Sequence, residues 1–301
     1  MGILALDFGG TSIKYGLWKE ELIEQGVTPL PKTWEEALKA IEKILERYRN
    51  DGYLIDGIAT SVPGAVSQEE DKIYGLTAID YIHHRSFTQE LSDYFQLPVT
   101  MENDANCAAL SEIWKGHADD AQSILYFVFG TGVGGAIIQN RQIQAGKHQF
   151  GGEFGSMMLN EEGSFSELAS IVRTTALYNQ RQNQSIDGQE LFVRATNGDE
   201  LAKYLITQFC RYSARGIYNL MISFDPDKII IGGAISSNSL FIKKMKEEIE
   251  CLRTRTGAQR VETEILPSKF GNNANLVGAV YNFMIKLLDC CFKFSRFFDR
   301  N

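Results

Sequence analysis

The chain opens on Ile3-Leu4-Ala5-Leu6-Asp7-Phe8-Gly9-Gly10-Thr11-Ser12-Ile13-Lys14, and this stretch narrows the possible folds more than any other. An apolar run bounded by glycine reads as a buried strand, here ending on an acid and a tight turn. Ile13 to Trp18 supplies a second strand across that turn. Paired glycines let a backbone turn sharply and bring its N–H groups against something bulky. A hydroxyl (Thr11), a cation (Lys14) and a strand-terminal carboxylate (Asp7) in one strand pair suit the phosphates of a nucleotide and a magnesium ion. A plain glycine hairpin would explain the stretch taken alone. The pattern returns, however, as Ile124-Leu125-Tyr126-Phe127-Val128-Phe129-Gly130-Thr131-Gly132, followed by a strand from Val133 to Gln139. Two strand-turn-strand units predict two similar half-domains facing each other across a cleft.

The 301 residues suffice for two domains with real cores. A net charge of −8 without a long basic run argues against nucleic-acid binding. No apolar run is long enough to span a membrane. The N-terminus enters a strand at once, which leaves no room for a signal peptide and predicts a cytoplasmic protein. The five cysteines (Cys107, Cys210, Cys251, Cys290, Cys291) are scattered apart from one vicinal pair. That pattern fits a reduced protein without a disulfide framework. The tail Phe292 to Phe298 is aromatic and basic; packing against the first lobe is preferred to a membrane role.

Between the two glycine turns the pattern predicts a strand over 22–27 and a helix opened by Thr33, with Glu36 three residues on. Ala37, Leu38, Ile41, Ile44, Leu45 and Tyr48 fall on one face of that helix. A strand over 55–61 closes on Pro63-Gly64, residues 65–85 are loop-rich, and Ser86 caps a helix to Phe95. A strand over 98–101 then leads into Glu102-Asn103-Asp104-Ala105-Asn106 and a helix to Lys115. After the second strand pair come a loop with Gly151-Gly152-Glu153-Phe154-Gly155, helices over 165–179, 188–196 and 199–223, and a strand over 228–231. A third glycine turn, Gly232-Gly233, follows, then a helix over 238–251, a strand over 261–266 and a closing helix over 274–290.

Ligands in open α/β sheets bind beyond the carboxyl ends of the strands. Three strand-terminal glycine turns therefore make a nucleotide site, with Gly9-Gly10 and Gly130-Thr131-Gly132 at the phosphates and Gly232-Gly233 at the adenosine. Asp104 begins a helix, where an acceptor ordinarily caps. Its functional reading is the carboxylate that takes the acceptor hydroxyl's proton in phosphoryl transfer. Asn103 and Glu153 suit hydrogen bonds to a polyol. His83, His84, His117 and His148 show no ligand spacing.

These pieces, in this order, resemble the ROK family of sugar kinases and sugar-responsive repressors within the actin, hexokinase and Hsp70 ATPase superfamily. Asp7 to Lys14 is similar to the first phosphate motif, Glu102 to Asn106 to the catalytic motif, and Phe129 to Gly135 to the second phosphate motif. Asp225-Pro226 with Ile230 to Gly233 resembles the adenosine region, and Asn273-Ala274 with Val277-Gly278-Ala279 the start of the closing helix. The resemblance implies an α/β chain of two actin-like, ribonuclease H-like lobes around a nucleotide and sugar cleft. Residues 1–105 with about 282–301 would form the small lobe and 106–281 the larger. It implies Asp104 as base, Asn103 and Glu153 on sugar hydroxyls, and magnesium arriving with ATP. Pro63, Gly64 and Glu167 complete the candidate sugar contacts. Asp7, Gly9, Gly10, Thr11, Lys14, Gly130, Thr131, Gly132, Gly232 and Gly233 are the candidate ATP contacts, with Asp7 at the magnesium.

Two departures stand out. The family loop ends in a histidine where this chain has Ser156, and a cysteine-rich zinc segment is replaced by Asn160 to Ser170, which holds no cysteine. No structural zinc is expected. The family's sugar-reaching glutamate falls on Ser166 in an ungapped alignment, with Glu167 one residue away, and either reading stands. Room at the sugar's anomeric end favours a substituted sugar over plain glucose. The expectation is an ATP-dependent hexose kinase acting on the 6-hydroxyl of a glucose-like, N-acetylmannosamine-like or β-glucoside substrate, as a homodimer or alone. The rival is a non-catalytic sugar sensor. Family repressors carry an N-terminal DNA-binding domain, for which the strand at Ile3 leaves no room.

Overall fold

The computed structural model describes residues 1–75 and 77–298, and for 289–298 the backbone alone. The side chains of Cys290, Cys291 and the aromatic tail lie outside the described residues. The chain divides into two units, Met1–Trp114 with the segment from Asn273 onward, and Lys115–Asn272.

Unit 1 is built on a five-stranded sheet in the order β3-β2-β1-β4-β7. β1 (Ile3–Phe8), β2 (Ser12–Trp18) and β3 (Leu22–Pro29) are antiparallel neighbours. The chain then crosses over through α1 (Trp34–Asn50) to β4 (Gly57–Val62), parallel to β1. β5 (Ala65–Ser67) and β6 (Lys72–Tyr74) form a small hairpin within the stretch expected to be loop. α2 (Phe87–Phe95) leads to β7 (Val99–Asn103), parallel to β4, and α3 (Asp104–Lys115) follows.

Each element forms for a local reason. Every residue of β1 and β4 is buried, so both strands read as continuous apolar runs rather than alternating ones. α1 starts where Thr33 accepts the Glu36 N–H, and it buries Trp34, Ala37, Ile41, Ile44, Leu45 and Tyr48 against the sheet. α2 corrects one expectation. Ser86 stands at its N-cap but makes no capping bond. Asp71 caps instead, its carboxylate accepting the N–H groups of Thr88 and Gln89 at 3.0 Å and the Thr88 hydroxyl at 2.7 Å.

Unit 2 repeats the plan with the order β10-β9-β8-β13-β14. β8 (Ile124–Phe129), β9 (Val133–Gln139) and β10 (Gln142–Ile143) are antiparallel. β11 (Met158–Asn160) and β12 (Gly163–Ser164) form a minor hairpin before α4 (Phe165–Leu168), α5 (Ile171–Gln182), α6 (Gly188–Thr196) and α7 (Glu200–Phe224). β13 (Lys228–Gly232), α8 (Ser239–Thr256) and β14 (Glu264–Pro267) complete it, β13 lying parallel to both β8 and β14. The helix expected over 165–179 is broken at Ala169-Ser170, because Ser170 turns extended and accepts the Arg173 N–H to start α5 anew. Asp227 ties the two central strands together at their starts, accepting the N–H groups of Gln122 and Ser123 at 2.9 and 2.8 Å.

α9 (Ala274–Phe298) returns to unit 1 and packs on β1, β4 and β7. It crosses α3 at Gly278, where any side chain would collide with the Cys107 carbonyl, so only glycine permits the helices to lie so close. Further along the same pair of helices, Trp114 stacks on Tyr281 with ring centroids 5.1 Å apart and meets Trp18 at 4.8 Å. Among the described residues no helix is long and apolar enough to cross a membrane.

Candidate active site

Asp7 stands at the carboxyl end of the central strand of unit 1, cross-strand from Lys14 in β2 and beside Ser61 in β4. It is only 5 % exposed, yet three groups meet its charge. Ser61 donates to Oδ1 at 2.8 Å, Asn275 Nδ2 donates to the same oxygen at 3.1 Å, and Lys14 Nζ lies 3.9 Å from Oδ2. The Gly9 N–H donates to the Ser12 carbonyl at 2.9 Å and closes the turn, leaving Gly10 and Thr11 exposed at its tip. A buried, oriented carboxylate below an exposed glycine turn fits a magnesium ion carried by phosphates, since magnesium takes one or two carboxylates and keeps its remaining ligands as phosphate and water.

On the same edge of the sheet, β7 delivers Asn103 and Asp104. The Asn103 Oδ1 accepts the Asn106 N–H at 3.1 Å, so Asn103 caps α3. Asp104, in the first turn, is released from that duty. Its Oδ1 accepts the Ala105 N–H at 2.8 Å and one Asn103 amide proton at 3.1 Å. The other Asn103 amide proton goes to the Gly64 carbonyl at 3.0 Å, which joins the Pro63-Gly64 turn to Asp104 through Asn103. Glu102 supports this row from below, accepting from the Asn103 N–H at 2.9 Å and from Asn106 Nδ2 at 3.0 Å. Burial pulls the Lys286 ammonium below the ordinary lysine range, while the Glu102 charge opposes that shift; its Nζ donates to the Met101 carbonyl at 3.2 Å. Burial, with the nearby carboxylates, pushes the Cys107 thiol well up, so no thiolate nucleophile forms beside Asp104. Glu102 and Asn106 lie inside the motif resembling the catalytic one, and sequence alone assigns them no role of their own; Ser61 and Asn275 carried no signal as site residues. The rule that ligands gather at the carboxyl ends of parallel strands would have found Ser61.

In unit 2 the second turn is one residue shorter: Phe8 pairs with Ile13 in the first, Phe129 with Val133 in the second. The Gly130 N–H closes it on the Gly132 carbonyl at 2.9 Å, and Thr131 is exposed at its tip. Glu153 is exposed in its loop, between the buried Gly152 and Phe154. Gly232-Gly233 ends β13, and beyond it opens a cavity of about 590 Å³ lined by Ile171, Gly188, Phe192, Ala234, Ile235 and Asn238. Its size and mixed lining suit a nucleoside. Glu167 closes a capping box, Oε2 accepting the Ser164 N–H at 2.9 Å and hydroxyl at 3.0 Å. Those bonds hold its carboxyl below the ordinary glutamate range.

Residues 3–284 match the ROK family pattern. The chain belongs to the ROK family. It is 33% identical to the β-glucoside kinase of Listeria monocytogenes over 297 residues, 94% of this chain and 98% of that protein. The crystal structure of a ROK family protein from Streptococcus pneumoniae in complex with sucrose superposes with a TM-score of 0.88 at 33% identity, covering 96% of this chain and 100% of that one. The ROK hexokinase of Thermus thermophilus superposes with a TM-score of 0.83 at 27% identity, covering 96% and 100%. The two repeated sheets are thus the paired actin-like lobes of ROK proteins. Ser156, where the resemblance would place a histidine, is exposed. Among the described residues no three His, Cys, Asp or Glu side chains converge as a metal ion would need.

Proposed function

We propose that this ROK protein is a kinase that transfers the γ-phosphate of ATP to the 6-hydroxyl of a β-glucoside or similarly substituted hexose. Asp104 carries the reading. Its carboxylate follows β7 directly, one oxygen held by the Ala105 N–H and the Asn103 amide. A carboxylate so oriented takes the proton of the attacking hydroxyl as the oxygen closes on phosphorus. Asn103 and Glu153 hold ring hydroxyls, and the Pro63-Gly64 turn fixes Asn103. The amides of Gly10 and Thr11, with Lys14, and those of Thr131 and Gly132 meet the phosphates of ATP, while the Gly9 and Gly130 N–H groups close the two turns. Adenosine fills the cavity beyond Gly233. Magnesium on the phosphates would be held by Asp7, and it supplies neutralisation of their charge. The substituted sugar is favoured by the β-glucoside kinase relative and by the small Ser156, which leaves space that a histidine would fill. The reaction is placed in the cytoplasm, where ATP is available and the phosphorylated sugar is retained by its charge.

ADP release from Mg-ATP against glucose, mannose, N-acetylmannosamine, N-acetylglucosamine and cellobiose tests it. Turnover is expected to be fastest with the β-linked disaccharide. Sugar binding by calorimetry without turnover on any sugar would replace the kinase by a sensor.

A further inference from the structure

Two serines on either side of the α4–α5 break reach the second glycine turn. The Ser166 hydroxyl accepts the Val133 N–H at 2.9 Å and faces the Val133 carbonyl at 3.4 Å. The Ser170 hydroxyl donates to the Gly130 carbonyl at 3.1 Å, while its oxygen accepts the Arg173 N–H at 3.1 Å. The turn from Gly130 to Val133 is therefore gripped at both ends. Ser166 also fills the space beside two glycines. A side chain on Gly132 would place its Cβ 2.8 Å from Ser166 Oγ, and one on Gly155 would collide with the same oxygen. Gly155 lies two residues beyond Glu153. Behind Ser166, the neighbouring Phe165 is fully buried, its ring lying flat on Gly216 of α7. The short helix α4 is thus anchored in the core and presents one hydroxyl to both loops.

We infer that Ser166 and Ser170 form a clamp that fixes the second phosphate turn, and that Ser166 couples this turn to the Glu153 loop. The inference rests on the proposed kinase reading for the roles of the two loops. Both serines are positioning residues: neither touches the reacting atoms, and each acts through the backbone that it holds. Preorganised amides bind phosphate oxygens without reorganising during the reaction, which is what such a clamp secures. The division of labour follows from the contacts. Ser170 reaches only the phosphate turn, and Ser166 reaches the phosphate turn and the sugar loop.

The test combines steady-state kinetics with calorimetric titration of ATP, on the full chain. Ser170→Ala is expected to raise KM and Kd for ATP by about fivefold, the loss expected of one neutral hydrogen bond, with KM for sugar unchanged. Ser170→Thr keeps the hydroxyl and the helix cap, and is expected to restore both constants. Ser166→Ala is expected to raise KM for ATP and for sugar together. In a Glu153→Gln background its effect on sugar shrinks while its effect on ATP persists, the signature of coupling through the loop. A lower melting temperature with all constants at their wild-type values makes the serines merely structural and overturns the inference. So does an unchanged KM for sugar in Ser166→Ala, a variant that leaves the α5 cap intact. Should no sugar be turned over, the kinase reading fails; the ATP titration still decides the clamp, since a tighter or equal Kd in both alanine variants refutes it.

Discussion

Replacing Asp104 by asparagine separates chemistry from architecture. Oδ1 accepts two protein hydrogen bonds, from the Ala105 N–H at 2.8 Å and Asn103 Nδ2 at 3.1 Å. An asparagine amide oxygen takes over both, so the start of α3 and the Gly64 contact survive. The other oxygen becomes an NH₂, a donor where a base must accept. A melting curve reads any cost to stability separately from the loss of chemistry. Removing a general base costs about 10²- to 10⁴-fold in kcat. At 1.36 kcal/mol per decade that is about 3–5 kcal/mol of transition-state stabilisation. Asp104→Ala is the poorer probe, because it also strips two donors of their acceptor. The assay is coupled ADP release at saturating Mg-ATP and sugar, beside a melting curve of the same preparation. A kcat within tenfold of wild type, in a protein that melts at the same temperature, would refute the assignment of Asp104 as base.

Four further outcomes follow from the contacts already described. Asp7→Asn keeps the Oδ1 acceptor for Ser61 and Asn275 but removes the charge; the magnesium concentration for half-maximal activity should rise on the order of tenfold, with KM for sugar unmoved. Phe165→Ala empties a fully buried ring site and should cost about 3–5 kcal/mol in denaturant melts; a loss under 1 kcal/mol would mean that α4 is not anchored as described. Asp71→Ala should cost about 1–2 kcal/mol by uncapping α2, whereas Ser86→Ala should cost almost nothing. Asp227 is held below the ordinary aspartate value of 3.8, first by the Ser123 N–H, so its stabilising contribution is complete above that value and is lost as the pH falls through the folded one. The melting-temperature gap between wild type and Asp227→Ala should therefore narrow on acidification, and a gap that widens would reverse the sign of the linkage.

The sequence carried the repeated strand pair and most helices because their signals are local. Thr33 caps α1 three residues from its partner, and the apolar stripe of α1 has the helical period. What escaped was set by residues distant in sequence. Asp71 caps α2 from 17 residues away, and no local pattern names it. In the candidate site, the glycine turns and the Asn103-Asp104 pair were legible because each sits at a strand end. The division of roles within that pair was not, since only the fold brings the Gly64 carbonyl to Asn103. Glu167 shows the opposite case: the serine three residues before it spells a capping box in the sequence itself.

The aromatic stack at the end of α3 has a spectroscopic consequence. The chain has three tryptophans, and Trp18, Trp34 and Trp114 all belong to unit 1. Indole fluorescence is therefore a private channel for unit 1, with unit 2 dark in it, while far-ultraviolet circular dichroism sums the helices of both. Melting curves recorded in the two channels coincide if the units unfold as one cooperative body, and separate if unit 2 melts alone. No label or inserted probe is needed, because this sequence has already sorted its chromophores by unit.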